Sequence, residues 1–257
     1  MLHSLRLLKG SPLAAKDGTI GKVHDIYFDD YRWTIRYLVV ATGSWLAGRE
    51  YVLISPLSIE KGFRYNDVLI SVDLTREQIK NSPSFESHQP VSRQLEIEYF
   101  NYFGWPYYWA FPGTWGYGIY PYHLIEVQNN LTPPEPVANQ KEDSHLRSAF
   151  EVKGYGVESL DGRMGSVEDF LLEDETWSIR YLVIDTIRWW PSKKVLISPT
   201  WCSQISWMDH VIKIDLTKDT IKRSPPYDSK AFLNRSYEQS LHGHYVKKPY
   251  WDDMHGY

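Results

Sequence analysis

The chain holds one cysteine, Cys202, among 257 residues. A single thiol excludes an intramolecular disulfide and a thiolate zinc cage, and it suits a reducing compartment. No apolar run approaches the roughly twenty residues that a membrane-spanning helix needs. Positive charge is not in excess either. The 28 Lys and Arg stand against 32 Asp and Glu, and a net charge of −4 offers no basic footprint for nucleic acid or an anionic membrane. Catalytic signatures are missing as well. Ser55-Pro56 and Ser198-Pro199 lack the Gly-x-Ser-x-Gly elbow, and no EF-hand spacing occurs. Of nine histidines only His242 and His244 are close together, and at i, i+2 on a helix they would point apart. His255 could join them, but it lies in a terminal tail. What is present is an ordinary globular profile, 42% hydrophobic and 23% charged.

Within that profile the sequence repeats itself. DGTIGKVHDIYFDDYRWTIRYLVVAT, from Asp17, recurs as DGRMGSVEDFLLEDETWSIRYLVIDT from Asp161, with half of the aligned positions identical. The match continues through VLISP at Val52 and Val195 and through D-x-x-I-x-x-D-L-T at Asp67 and Asp209. It ends in Ile-Lys-x-Ser-Pro at Ile79 and Ile221. The two single-residue slips fall after Thr42 and after Pro56, in expected loops, where a change of length costs little. The similarity already begins at Leu2, LHSLRLLKG against LRSAFEVKG, which is expected to leave no room for a cleavable leader. A cytoplasmic protein of two like domains is expected.

Short β-branched and aromatic runs dominate each copy. In the first, strands are expected at 5–8, 22–28, 35–42, 51–54 and 68–72. Turn chemistry separates them at Lys16-Asp17-Gly18, Asp29-Asp30, Gly43-Ser44 and Lys61-Gly62. That spacing reads as a small antiparallel barrel or sandwich. RYLVV at Arg36 and RYLVI at Arg180 lack clean alternation, so each is expected to be a central strand covered on both faces. Thr75 and Gln78 are spaced as a capping box, and Thr217 faces the weaker partner Thr220. Ser92 and Asn234 are expected to cap a second helix in each copy, with Leu95, Tyr99 and Phe103, or Tyr237, Leu241 and Tyr245, on its apolar face. Both copies then close on Tyr-Trp, at Tyr108-Trp109 and Tyr250-Trp251. The expected division is 1–87 as first domain, 88–145 as helix, aromatic arm and linker, 146–229 as second domain and 230–257 as helix and aromatic tail. Residues 128–144 are polar, contain Pro133-Pro134 and read as a solvated linker.

The D-G-x-x-G-x-V-x-D opening, W-x-I-R-Y-L-V, V-L-I-S-P and D-L-T-x-x-x-I-K-x-S-P together resemble the PRC-barrel domain, at 17–83 and again at 161–225. The family is named for the cytoplasmic domain of the photosynthetic reaction-centre H subunit and also occurs in a ribosome maturation factor. The R-x-x-E helices that end in Tyr-Trp resemble stand-alone bacterial proteins carrying two such domains. The resemblance implies a small β-barrel that binds or stabilises partners without an enzymatic activity of its own. The transmembrane helix of the H subunit and the additional barrel of the ribosome factor have no counterpart here, so neither specific role carries over.

Gly18-x-x-Gly21 and Gly162-x-x-Gly165 are followed by a strand and not a helix, which favours a hairpin turn with close backbone approach over a phosphate loop. Asp25 and Asp169 are expected to bond turn amides or to pair with Arg36 and Arg180; the alternatives are divalent-metal binding in the acidic turns and an anion site at the arginines. Residues 99–122 are about half aromatic and contain no Lys or Arg, which argues against base stacking. They are expected either to wrap onto the first domain or to present a partner surface, with Trp105, Tyr107, Tyr108, Trp109, Trp115, Tyr250 and Trp251 as candidate partner-binding residues. No catalytic residue, metal ligand or cofactor is expected. The function expected is a non-enzymatic adaptor or scaffold with a protein partner, the two barrels forming an intrachain pseudo-dimer bridged by the arms, with a homo-oligomer also open. The alternatives are an accessory of photosynthetic electron transport and a divalent-metal binder.

Overall fold

The computed structural model describes residues 1–60, 69–86, 91–110, 115, 145–186, 193–229 and 233–252. The turn expected at Lys61-Gly62, Asp67, the linker at 128–144 and His255 lie outside the described residues, as does most of 111–122. The chain is mainly β. Strands β1 (Leu2–Ser4), β2 (Pro12–Ala15), β3 (Gly18–Asp29), β4 (Thr34–Ala41), β5 (Tyr51–Ile54) and β6 (Ile70–Ser71) precede helices α1 (Arg76–Asn81) and α2 (Arg93–Phe103). Then come β7 (Leu146–Ser148), α3 (Ala149–Val152), β8 (Gly156–Ser159), β9 (Gly162–Glu173), β10 (Ile179–Asp185), β11 (Lys194–Ile197), β12 (Cys202–Ser206) and β13 (Val211–Ile214). Helices α4 (Lys218–Arg223) and α5 (Arg235–Tyr245) follow.

Two sheets result. One runs β5-β4-β3-β2-β6 and the other β11-β10-β9-β8-β13-β12, so five positions follow the same order in both. The pairs β2–β6 and β8–β13 are parallel, which corrects the expectation of a wholly antiparallel sheet. Among the described residues no pair of strands closes either sheet into a ring. β4 is buried at seven consecutive residues from Thr34 to Val40, as expected of a strand with neighbours on both edges and cover on both faces.

The long strands β3 and β9 serve several partners because they bend. β3 pairs with β2 through its first residues and with β4 along most of its length, with register shifts between Val23 and Asp25 and between Tyr27 and Phe28. Such bulges increase local twist and re-aim a strand. Glycine permits the crossing. A Cβ at Gly21 would stand 1.9 Å from the Ala41 carbonyl oxygen, and one at Gly165 2.1 Å from that of Asp185.

The leading strands depart from expectation. Residues 5–8 form a 3-10 turn, and the strand lies just before it as β1. β1 does not join the sheet of its own half. It pairs with β9, Leu2 opposite Glu173 and Ser4 opposite Leu171, while β7 pairs with β3, Leu146 opposite Asp29 and Ser148 opposite Tyr27. The two halves therefore exchange their first strands. One compact unit comprises Met1–Arg6, Phe150–Glu173 and Ile179–Tyr257; the other comprises Leu7–Ala149 and Asp174–Ser178.

The helices start as their sequences dictate. Thr75 and Gln78 complete both bonds of the capping box, and Ser92 and Asn234 accept from the amides of Leu95 and Tyr237. At Thr217 the box is incomplete: its hydroxyl accepts from the Thr220 amide, and the two hydroxyls lie 2.9 Å apart. The C-termini differ. α2 ends on Gly104 in the left-handed region, whereas α5 ends on Val246 in that region, at φ 53°, with its side chain exposed. A β-branched residue there is strained.

Candidate functional site

In the first half, α2 and the chain after it fold down on one face of β4 and β5. Tyr37, Val39 and Leu53 form a core with Tyr99, Phe100, Tyr107, Tyr108 and Trp115. The Tyr99 hydroxyl donates to the Leu53 carbonyl and accepts from the Ser55 amide, which ties the helix to β5. The apolar face expected from Leu95, Tyr99 and Phe103 is wider than its spacing suggested, because Glu96 and Phe100 are fully buried beside it.

Glu96 is the centre of a polar network inside this core. Its Oε1 accepts from the hydroxyls of Tyr37 (3.1 Å) and Tyr108 (2.8 Å), and its Oε2 lies 2.7 Å from Arg93. Burial raises its pKa to about 7, against the pull of Arg93 and the two phenols. Burial, and then the neighbouring Glu96, push both phenols well above their ordinary value, so they remain donors. Arg36 closes the arrangement. Its guanidinium donates to the Trp115 carbonyl (2.8 Å) and to Asp29 (3.0 Å), and lies over the Tyr108 ring at 3.8 Å. Arg93 lies over the Trp109 ring at 4.3 Å. Cation–π contacts of this kind strengthen as water is excluded.

The second half builds the same arrangement from matching residues. Glu238 accepts from Tyr181 (3.1 Å) and Tyr250 (2.9 Å) and lies 3.3 Å from Arg235. Arg180 pairs with Glu173 and lies over Tyr250 at 4.2 Å, and Arg235 lies over Trp251 at 4.0 Å. Burial again raises the Glu238 carboxyl. One position differs in kind. Where the first network has Phe100, the second has His242, whose Nε2 is 2.9 Å from the Tyr181 hydroxyl.

Arg36 and Arg180 are thus paired structurally, but not with the partners expected. Asp25 stands opposite Val39, several pairs from Arg36, while Asp29 at the strand end both pairs with Arg36 and accepts from the Tyr31 and Arg32 turn amides. Asp25 and Asp169 take the serine hydroxyls at the ends of the exchanged strands, Ser148 (2.7 Å) and Ser4, and also accept backbone amides, Asp25 from Ile26 and Asp169 from Phe170 and from Arg6 in the leading 3-10 turn. Asp30 faces Arg147 at 2.9 Å and His145 at 3.2 Å. These acidic turns are occupied by arginines and amides.

Of the seven expected partner residues, Tyr107, Tyr108 and Trp115 are buried, and Trp105, Trp109, Tyr250 and Trp251 are half-buried. The first four expected on the 99–110 stretch pack on the sheet of their own half, and in the other half Tyr250 packs on Tyr181 of β10 and Trp251 on His242 of α5, as in the wrapped arrangement. Trp115 turns its indole to the Thr176 carbonyl, leaving no ring face for a partner. His242 and His244 do point apart, to Tyr181 and to the Thr220 carbonyl. Burial and the nearby Asp215 push the Cys202 thiol up to about 12, so it stays protonated. Sequence reasoning passed over Glu96 and Glu238, because a glutamate on a helix reads as solvent-facing; the shared R-x-x-E spacing was the available signal. An open depression of about 420 Å³, lined by Asp17, Trp45, Arg76, Glu77, Lys80 and Asn81, was also unforeseen, and its two cations and two carboxylates favour neither sign of ligand.

No family model and no curated protein matches this chain.

Proposed function

We propose that the chain is a non-enzymatic binding and assembly module, a duplicated PRC-barrel-like protein whose two domains each carry a helix and an aromatic arm. The observation that supports this reading is the repetition of the Arg–Glu–Tyr network. Its polar residues are spent on fastening an arm to a sheet, and the half-buried rings of Trp105, Trp109, Tyr250 and Trp251 remain as partner-facing surface. Half-exposed aromatic rings concentrate at protein interfaces. The common strand order of the two sheets supports a duplicated domain, with boundaries near 1–87 and 146–229. Arginines seated in the acidic turns weigh against divalent-metal binding there. The test is mild in-cell crosslinking and capture with the intact chain and with Trp109→Ala plus Trp251→Ala. A partner that is retained by the first and lost by a folded double variant supports the reading. Equal capture by both refutes the aromatic surface, and no reproducible partner refutes the module.

A further inference from the structure

The two arms close on like networks, yet the second carries two changes that weaken it. The first change is His242. Its ring is 3% exposed and packs against Trp201 (5.2 Å between centroids), Trp251 (5.3 Å), Tyr181 (6.0 Å) and Tyr250 (6.4 Å). Ionised Glu238, beside Arg235, takes the hydroxyl protons of both Tyr181 and Tyr250. Tyr181 has one proton, so its oxygen must then accept from the Nε2–H of His242. That tautomer leaves Nδ1 bare, and Nδ1 is buried without a partner. The second change is Val246, left-handed at φ 53° where the first arm has Gly104 at φ 67°. Strain of this kind sits directly before the 247–252 segment that carries Tyr250 and Trp251.

We propose that the Tyr250–Trp251 arm is an acid-released latch, held shut by the neutral imidazole of His242 and weakened at Val246, whereas the Tyr108–Trp109 arm is a permanent closure. An acid proton can enter the ring only at Nδ1, which would place a cation in a nearly dry site. The surrounding groups are Tyr181 from β10, Trp201 from the turn Pro199–Trp201, Glu238 and Arg235 from α5, and Tyr250, Trp251 and Asp252 from the arm, with the backbone of Lys247 and Lys248. Burial opposes the cation first and Arg235 adds to this; the Lys247 and Lys248 backbone and Asp252 offset part of it, leaving the imidazole below its ordinary value. A closed state that holds His242 below its open-state value binds fewer protons. Closure is therefore favoured above about pH 6.5 and lost as the pH falls toward the depressed value. Glu238 is raised in the closed state and acts in the opposite sense, and its counterpart Glu96 acts on the first arm with no histidine against it. Acid accordingly acts against closure through His242 at the second arm alone, whereas at the first arm it acts only in favour of closure.

Amide hydrogen exchange on the full chain, corrected for intrinsic pH dependence, distinguishes the two arms. Between about pH 7.5 and about pH 5.5, exchange at 246–252 should accelerate about threefold to tenfold while that at 104–110 does not. His242→Phe, which copies the first arm, should abolish the acceleration. His242→Gln retains an amide donor for Tyr181 without titrating and guards against misfolding of the first variant. Val246→Gly should slow exchange at 246–252 at both pH values. The proposal is overturned if exchange at 246–252 does not change with pH, if 104–110 accelerates equally, or if His242→Gln keeps the wild-type response.

Discussion

Replacing Glu96 by glutamine tests the centre of the first network. The carboxyl is fully buried and its pKa stands at about 7, against an ordinary 4.5. A folded-state value above the unfolded one means that the folded protein binds more protons between the two. The contribution of Glu96 to stability is therefore fully present below about pH 4.5 and is lost as the pH rises to about 7, after which it stays flat. The interval is equivalent to about 3 kcal/mol. Glutamine has the shape of the protonated acid and does not titrate. Urea unfolding of wild type and Glu96→Gln at pH values from about 5 to about 8 should show the stability difference moving by about 2–3 kcal/mol in favour of glutamine as the pH rises. Taking the difference cancels the titration of groups common to both proteins, Glu238, His242 and Asp30 among them. Parallel profiles would show that Glu96 is ionised throughout, and the burial argument would fall.

Val246→Gly should raise stability by about 1 kcal/mol, since an exposed β-branched residue in the left-handed region is replaced by the residue that Gly104 supplies in the first half. Thermal melts decide this, and an unchanged or lower midpoint would contradict it. Gly21→Ala and Gly165→Ala should each cost about 2 kcal/mol or more, because the new methyl meets a carbonyl oxygen at 1.9 or 2.1 Å; chemical denaturation within error of wild type would refute the close crossing. A protease site placed at 128–144 and cut in the folded protein should leave both halves co-eluting in gel filtration, since β1 pairs with β9 and β7 with β3; separation without denaturant would refute the strand exchange.

Much of the fold was legible in the sequence. β4 and β10 declare themselves by apolar runs, the helix starts by Thr75-x-x-Gln78, Ser92 and Asn234, and the Gly-x-x-Gly turns by the strand that follows them. Each of these depends on residues within a few positions of one another, where backbone geometry leaves little choice. The Arg36 and Arg180 pairings were legible in kind, because a buried guanidinium requires a carboxylate, but not in partner. The bulges in β3 and β9 shift the register, and the register selects Asp29 and Glu173 over Asp25 and Asp169.

Three decisions belong to the tertiary structure alone. Leu-x-Ser leads both halves, and either copy presents the same backbone and a serine to an aspartate, so nothing local directs β1 to β9 and β7 to β3. Glu96 and Glu238 become interior groups only because two tyrosines from other segments join the neighbouring arginine and offset part of their desolvation. A histidine at 242 differs from a phenylalanine at 100 in its consequences only once Tyr181, Trp201 and Trp251 enclose it. The sequence determined which segments are strands, helices and turns, because those choices are made over a few neighbouring residues. Burial and long-range pairing determined which charges are dry and which strands meet, because those energies depend on groups that only folding brings together.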